Sequence, residues 1–148
     1  MVSVKKLSLL FSNYSKTDQG LLFIRLIFGS LMFINHGLNK ILSGTERWER
    51  LGGALTDLIG LEFLKIFFGF MASFSESFCA LLIMVGLFTR TSSFLLFFTM
   101  FIASVNHLVD GDFPEMAIMY GVFCFFLILT GPGKYSLDKK FFSNYFKK

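Results

Sequence analysis

The sequence predicts an all-α integral membrane protein, a bundle of four transmembrane helices with a short interfacial helix between spans 1 and 2. Three observations carry this. Four apolar runs approach or exceed the length needed to cross a hydrocarbon core of about 30 Å, roughly 20 helical residues. Hydrophobic residues make up 54% of the 148-residue chain and charged residues only 16%, with 22 phenylalanines. A soluble domain of this size could not hide so much apolar surface in its own core, so lipid must serve as the second solvent. Finally, Lys and Arg flank the apolar runs and leave their centres nearly free.

The spans are expected at about 20–42, 62–87, 92–109 and 115–131, within a single membrane domain covering 1–148 and ending in a tail, 132–148. Pro114 suits the first turn of the fourth helix, where its missing N–H is not needed. Lys5 and Lys6 are followed by only a short apolar stretch, Leu7 to Phe11, with no small-residue cleavage site, so the first long run is expected to be retained. Between spans 1 and 2, Ser43 and Glu46 have capping-box spacing. Trp48, Leu51, Leu55, Leu58 and Ile59 then recur at helical intervals, as in an amphipathic helix lying in the interface with Trp48 as its anchor.

Orientation follows from the basic residues. Lys5, Lys6, Lys16, Arg90, Lys134, Lys139, Lys140, Lys147 and Lys148 fall on one side. Glu46, Glu49, Asp57, Asp110, Asp112 and Glu115 fall on the other. Both termini are therefore expected in the cytoplasm. The tail, with Phe141, Phe142, Tyr145 and Phe146 among lysines, is expected to rest on an anionic inner surface. The net charge of +4 forms no basic stripe with interleaved aromatics, so nucleic acid is not an expected partner. The expected surroundings are the lipid bilayer.

Ionisable side chains inside a span are costly and face the bundle interior by default. On the first helix Arg25, Gly29, Met32, His36 and Lys40 form one stripe at helical spacing, widened by Asn35 and Asn39. On the second, Gly69, Ser73, Glu76 and Ala80 share a face, with Ser77 beside Glu76 near mid-span. Thr99, Ala103, Asn106, His107 and Asp110 make a polar stripe on the third. Ala117, Gly121, Cys124 and Ile128 give the fourth a small-residue face suited to close packing. The alternating helix directions suggest a column with Arg25 at the inner end, Glu76 in the middle and His36 and His107 above. Two readings stay open. Arg25 and Glu76 pair as structural glue, or Glu76 titrates with His36 as its proton partner. Lys40 and Glu115, near helix ends, are compatible with simple snorkelling.

Histidines on two helices at similar depth raise the question of haem, but no CxxCH is present and haem is not expected. No Walker A loop, GxGxxG, HExxH or GxSxG occurs, and no metal site is expected. Cys79 and Cys124 form no CxxC pair and are expected to be buried, inert thiols.

With these residues in place, the chain resembles the DoxX family of small four-span membrane proteins. Arg25-Leu26, Gly29, Phe33, His36-Gly37 and Lys40 are similar to that family's first helix. Glu76 followed by Gly86-Leu87-Phe88-Thr89-Arg90 is similar to its second-helix glutamate and Gly-Leu-x-Thr-Arg turn. Ala103 and His107 fit its third helix, and Gly131-Pro132-Gly133-Lys134-Tyr135-Ser136-Leu137-Asp138 resembles its closing signature. The match runs in order over about Gly20 to Asp138. It implies a bacterial inner-membrane location and an association with redox chemistry, since relatives include a small subunit of a thiosulfate:quinone oxidoreductase and a membrane component of an oxidative-stress complex.

The expected function is a membrane subunit in quinone-dependent redox or oxidative-stress chemistry, with a polar intramembrane pocket for a quinone-like or other small ligand. Glu76 and His36 are the expected catalytic pair. Arg25, His36, Lys40, Asn106 and His107 are the expected ligand-binding residues. A soluble or membrane redox partner and a homo-oligomer are compatible with this reading. The alternatives are a non-catalytic anchor or assembly subunit and a small-molecule or lipid carrier; the sequence leaves open whether the protein is an enzyme.

Overall fold

A computed structural model describes residues 16–142. The expectations placed on Lys5, Lys6, Leu7 to Phe11, Tyr145, Phe146, Lys147 and Lys148 lie outside them. The described chain is helical, with no strand among the described residues. Helix α1 covers Thr17–Leu42, α2 Thr45–Ile59, α3 Glu62–Val85, α4 Thr89–Val109, α5 Glu115–Thr130 and α6 Leu137–Phe142. Of these, α1, α3 and α4 are long and apolar enough to cross a membrane. The 16 residues of α5 reach about 24 Å at 1.5 Å per residue. The fourth predicted span is therefore a shorter apolar helix.

The helices pack alongside one another with little enclosed core. Leu21, Met32, Ala80, Ile83, Leu96, Met100, Tyr120, Phe123, Cys124 and Leu127 form that core. Large apolar side chains such as Phe23, Ile34, Phe67, Phe94, Phe101 and Phe125 stay exposed around the outside. A soluble protein rarely carries so broad an apolar belt, whereas in a bilayer the belt faces lipid at no cost. The two ends of the bundle are distinct: residues 17–25 and 131–142 meet at one end, termed here the terminal end, and the α2–α3 connection lies toward the other, the far end.

Glycine sets how closely the helices approach. A Cβ on Gly37 of α1 would overlap the backbone carbonyl of Glu76 in α3, and one on Gly29 would meet Met84 Cγ at 2.7 Å. Cβ atoms on Gly52 of α2 and Gly69 of α3 would likewise overlap the carbonyls of Lys65 and Trp48. Small residues at such crossings allow backbone contact, a main source of helix association where lipid removes the hydrophobic driving force.

Helix α2 exists as expected, but it starts differently. Gly44 occupies the cap position at φ 78° with no side-chain cap, a left-handed conformation suited to glycine. Ser43 Oγ donates instead to the Asn39 carbonyl, so the Ser43–Glu46 capping box does not form. Helix α2 then runs antiparallel against the first half of α3. Trp48, the expected interfacial anchor, donates its indole N–H to the Lys40 carbonyl at 2.9 Å and packs edge-on to Phe70. Gly60 closes α2 in the left-handed conformation.

Candidate functional site

Both α1 and α3 contain one π-helical turn, Phe33–Gly37 and Ser75–Cys79, and the two turns lie against each other. In α1 the Leu38 N–H bonds to the Phe33 carbonyl, five residues back. Each π turn adds a residue to the helical period, and such bulges concentrate at functional sites. The insertion rotates the later part of each helix about its axis. After Leu21, Arg25, Gly29 and Met32, the next buried residue of α1 is Gly37 and not His36. In α3 the π turn carries three consecutive buried polar residues, Ser75, Glu76 and Ser77.

Glu76 is 2% exposed. Its partner is Lys40, whose Nζ donates to both carboxylate oxygens at 2.7 Å. This corrects two expectations: Glu76 does not pair with Arg25, and Lys40 does not simply reach for water. Ser77 Oγ is spent on the Ser73 carbonyl at 2.6 Å, and Ser75 Oγ meets Thr99 Oγ1 of α4 at 2.7 Å. Behind the pair, the half-buried His36 stands edge-on to Tyr120 of α5, ring centroids 5.7 Å apart. Tyr120 in turn lies within electrostatic reach of Glu76.

Lys40 and Glu76 form the polar wall of a partly open cavity of about 120 Å³ bounded by α2, α3 and α4. The other walls are nearly all apolar: Leu51, Ala54 and Leu55 from α2, Phe68, Met71 and Ala72 from α3, and Phe98, Ile102 and Ala103 from α4, with Thr99 the one hydroxyl. An ion pair thus faces an apolar chamber, an arrangement that can bind a ring bearing one or two polar atoms.

The remaining predicted residues lie elsewhere. Asn106 is at the far end of α4 and donates to Asp110 at 3.2 Å. His107 is exposed; it and His36 do not both face the cavity, and neither lines it. Arg25 is fully buried at the terminal end, donating through Nη2 to the Tyr135 carbonyl, with Asp138 in electrostatic range. Its guanidinium fills the space a Cβ on Gly86 would need. The expected single column is therefore two separate clusters. Among the described residues, no group of three or more His, Cys, Asp or Glu side chains could hold a metal ion. Cys79 and Cys124 are free and buried.

The terminal cluster joins two motifs that the sequence showed separately, Gly86–Arg90 and Gly131–Asp138, and adds Asp18, which no sequence pattern singled out. Asp138 accepts the backbone N–H groups of Phe88 at 2.7 Å and Thr89 at 2.9 Å, capping α4 from a distant part of the chain. Its own N–H returns to the Gly86 carbonyl at 2.8 Å. Asp18 holds the Lys134 backbone N–H at 2.8 Å and the Lys134 ammonium at 3.3 Å. The closing Gly131–Asp138 segment and the Gly86–Arg90 turn are one interlocked structure. No capping pattern local to α4 could have revealed Asp138, because the cap is 49 residues away. The α2 contribution to the cavity was missed for a similar reason: Leu51 and Leu55 read as lipid-facing until α2 is placed against α3.

A protein of Haemophilus influenzae described only as uncharacterized is 29% identical, the match covering 82% of this chain and 90% of that protein. No solved structure matches. The DoxX family model matches residues 20–107, which include both π turns, the Lys40–Glu76 pair and every wall of the cavity. This apolar helical bundle is a membrane protein of the DoxX family.

Proposed function

We propose that the protein is a bacterial inner-membrane subunit in quinone-dependent redox or oxidative-stress chemistry, and that the Lys40–Glu76 cavity holds the ring of a quinone-like ligand. One observation carries the reading: a buried Glu76 carboxylate, doubly hydrogen-bonded by the partly exposed Lys40, forms one wall of an otherwise apolar chamber. Stability alone does not account for such a pair, because replacing a buried ion pair by apolar residues of similar volume is often neutral or stabilising. Ionisable groups at membrane depth are functional by default.

In this reading four helices cross the bilayer, with α2 at the outer interface and both termini in the cytoplasm, the side richer in Lys and Arg. Lys40 Nζ donates to a ring oxygen, and Glu76 balances its charge and passes it a proton. His36 and Tyr120, packed edge-on outside the lining of the chamber, offer a route for resupply. A bound quinone supplies two-electron, two-proton chemistry, with electrons coming from a soluble or membrane redox partner.

The test is to purify the protein in mild detergent, extract it with organic solvent and identify the small molecules by mass spectrometry, for wild type and Glu76→Gln. Retention of an isoprenoid quinone by wild type and its loss from a folded Glu76→Gln variant is the expected result. If neither protein yields a ligand and Glu76→Gln cells resist oxidants as wild type does, the protein is a non-catalytic anchor. Retention of a non-quinone lipid by both would assign it as a carrier.

A further inference from the structure

A second concave site lies at the terminal end, away from Glu76. It is a groove of about 620 Å³ between the start of α4, the Thr130–Gly133 segment that ends α5, and α6. Three cations line it: Arg90, Lys134 and Lys139. Two acids are also present, but both are already engaged. Asp138 is held by two backbone N–H groups and faces the buried Arg25, and Asp18 is held by Lys134. Arg90 is exposed and makes no ion pair among the described residues. Its guanidinium instead lies over Gly131, whose Cβ position is 3.5 Å from Arg90 Nε and Nη2. Thr91 and Thr130 also line the groove.

We propose that this groove binds the phosphodiester headgroup of an anionic phospholipid. The Arg90 fork matches phosphate oxygens in planar, bidentate geometry, and Lys139 adds a point charge. The groove's place in the fold favours a lipid over a free anion. One helical turn from Arg90 along α4 stands Phe94, 58% exposed, and one turn from Thr130 along α5 stands Phe126, 41% exposed. A phosphate seated at Arg90 therefore has apolar surface beside it on which acyl chains can lie, at the level where basic residues meet anionic leaflets.

The test uses native mass spectrometry of the full chain, purified and exchanged into mixed micelles carrying phosphatidylglycerol or phosphatidylcholine. Wild type should retain one phosphatidylglycerol and little phosphatidylcholine. The double variant Arg90→Gln/Lys139→Gln should lose that preference by about tenfold or more, since each basic residue near an anionic surface contributes about 1 kcal/mol. Arg50→Gln/Lys140→Gln, an equal charge change outside the groove, should retain it. Melting in phosphatidylcholine alone checks that the variants fold; if the groove variant does not, the single Arg90→Lys replaces it and should lose part of the preference, because an ammonium cannot reproduce the fork. Equal retention of the two lipids by wild type would overturn the proposal, as would equal losses from groove and control variants. Complete displacement of the lipid by inorganic phosphate at millimolar concentration would reassign the groove to a soluble anion and overturn it as well.

Discussion

Removing one member of the Lys40–Glu76 pair should cost far more than removing both. With Glu76 2% exposed and Nζ 2.7 Å from each carboxylate oxygen, Glu76→Gln leaves an ammonium facing an amide that offers one acceptor and one like-polarity NH₂. Breaking a fully buried pair costs about 3–5 kcal/mol. The Lys40 side chain is 20% exposed and can turn partly to water, so the expectation here is lower, about 2–3 kcal/mol. Lys40→Met strands the buried carboxylate instead and should cost at least as much. The double variant Lys40→Met/Glu76→Leu removes both charges and should return to within about 1 kcal/mol of wild type. Reversible unfolding in mixed detergent, run as a double-mutant cycle, reads the coupling directly. Single variants each costing under about 0.5 kcal/mol, or additive effects in the double, would refute the buried-pair reasoning.

The same geometry sets further expectations. Gly37→Ala forces a methyl onto the Glu76 carbonyl and should destabilise by about 1–3 kcal/mol, as overpacking does; a melting curve no lower than wild type would show that α1 and α3 are not held at backbone contact. Asp138→Ala removes two cap hydrogen bonds from α4 and should cost about 0.5–2 kcal/mol, raising hydrogen exchange at the Phe88 and Thr89 amides first. Cys79 and Cys124 are both buried, so a maleimide should label neither in intact membranes until detergent unfolds the protein. A reporter inserted near Arg90 should be cytoplasmic and one near Gly53 external; finding both on one side would remove the proposed topology.

Much of the fold could be read from the chain because lipid imposes a simple rule: long apolar runs must be helices. That rule placed α1, α3 and α4 within a few residues and found α2 from its periodic Leu positions. It could not supply the phase of the helices. A regular period puts Arg25, His36 and Lys40 on one stripe. The π turn at Phe33–Gly37 breaks that period, brings Gly37 to the α3 backbone and moves His36 against Tyr120. Glu76 stood out in the sequence because a mid-span carboxylate is expensive. Its partner did not: the sequence points to Arg25 or His36, and Lys40 reads as reaching for water. Only the crossing of α1 and α3 selects Lys40. His107, four residues beyond Ala103 in a polar stripe, proves exposed near the end of α4.

The measurement that bears most directly on the central claim is a titration of purified protein in nanodiscs with a short-chain, water-soluble quinone, followed through the quench of tyrosine and tryptophan emission. It should be run on wild type, on Glu76→Gln and on Ala103→Leu, which narrows the chamber from α4 and keeps both charges in place. The account predicts saturable binding to wild type and at least about tenfold weaker binding, a loss of about 1.4 kcal/mol, in both folded variants. Binding that is equally tight in all three would place the ligand outside the Lys40–Glu76 cavity and contradict the account.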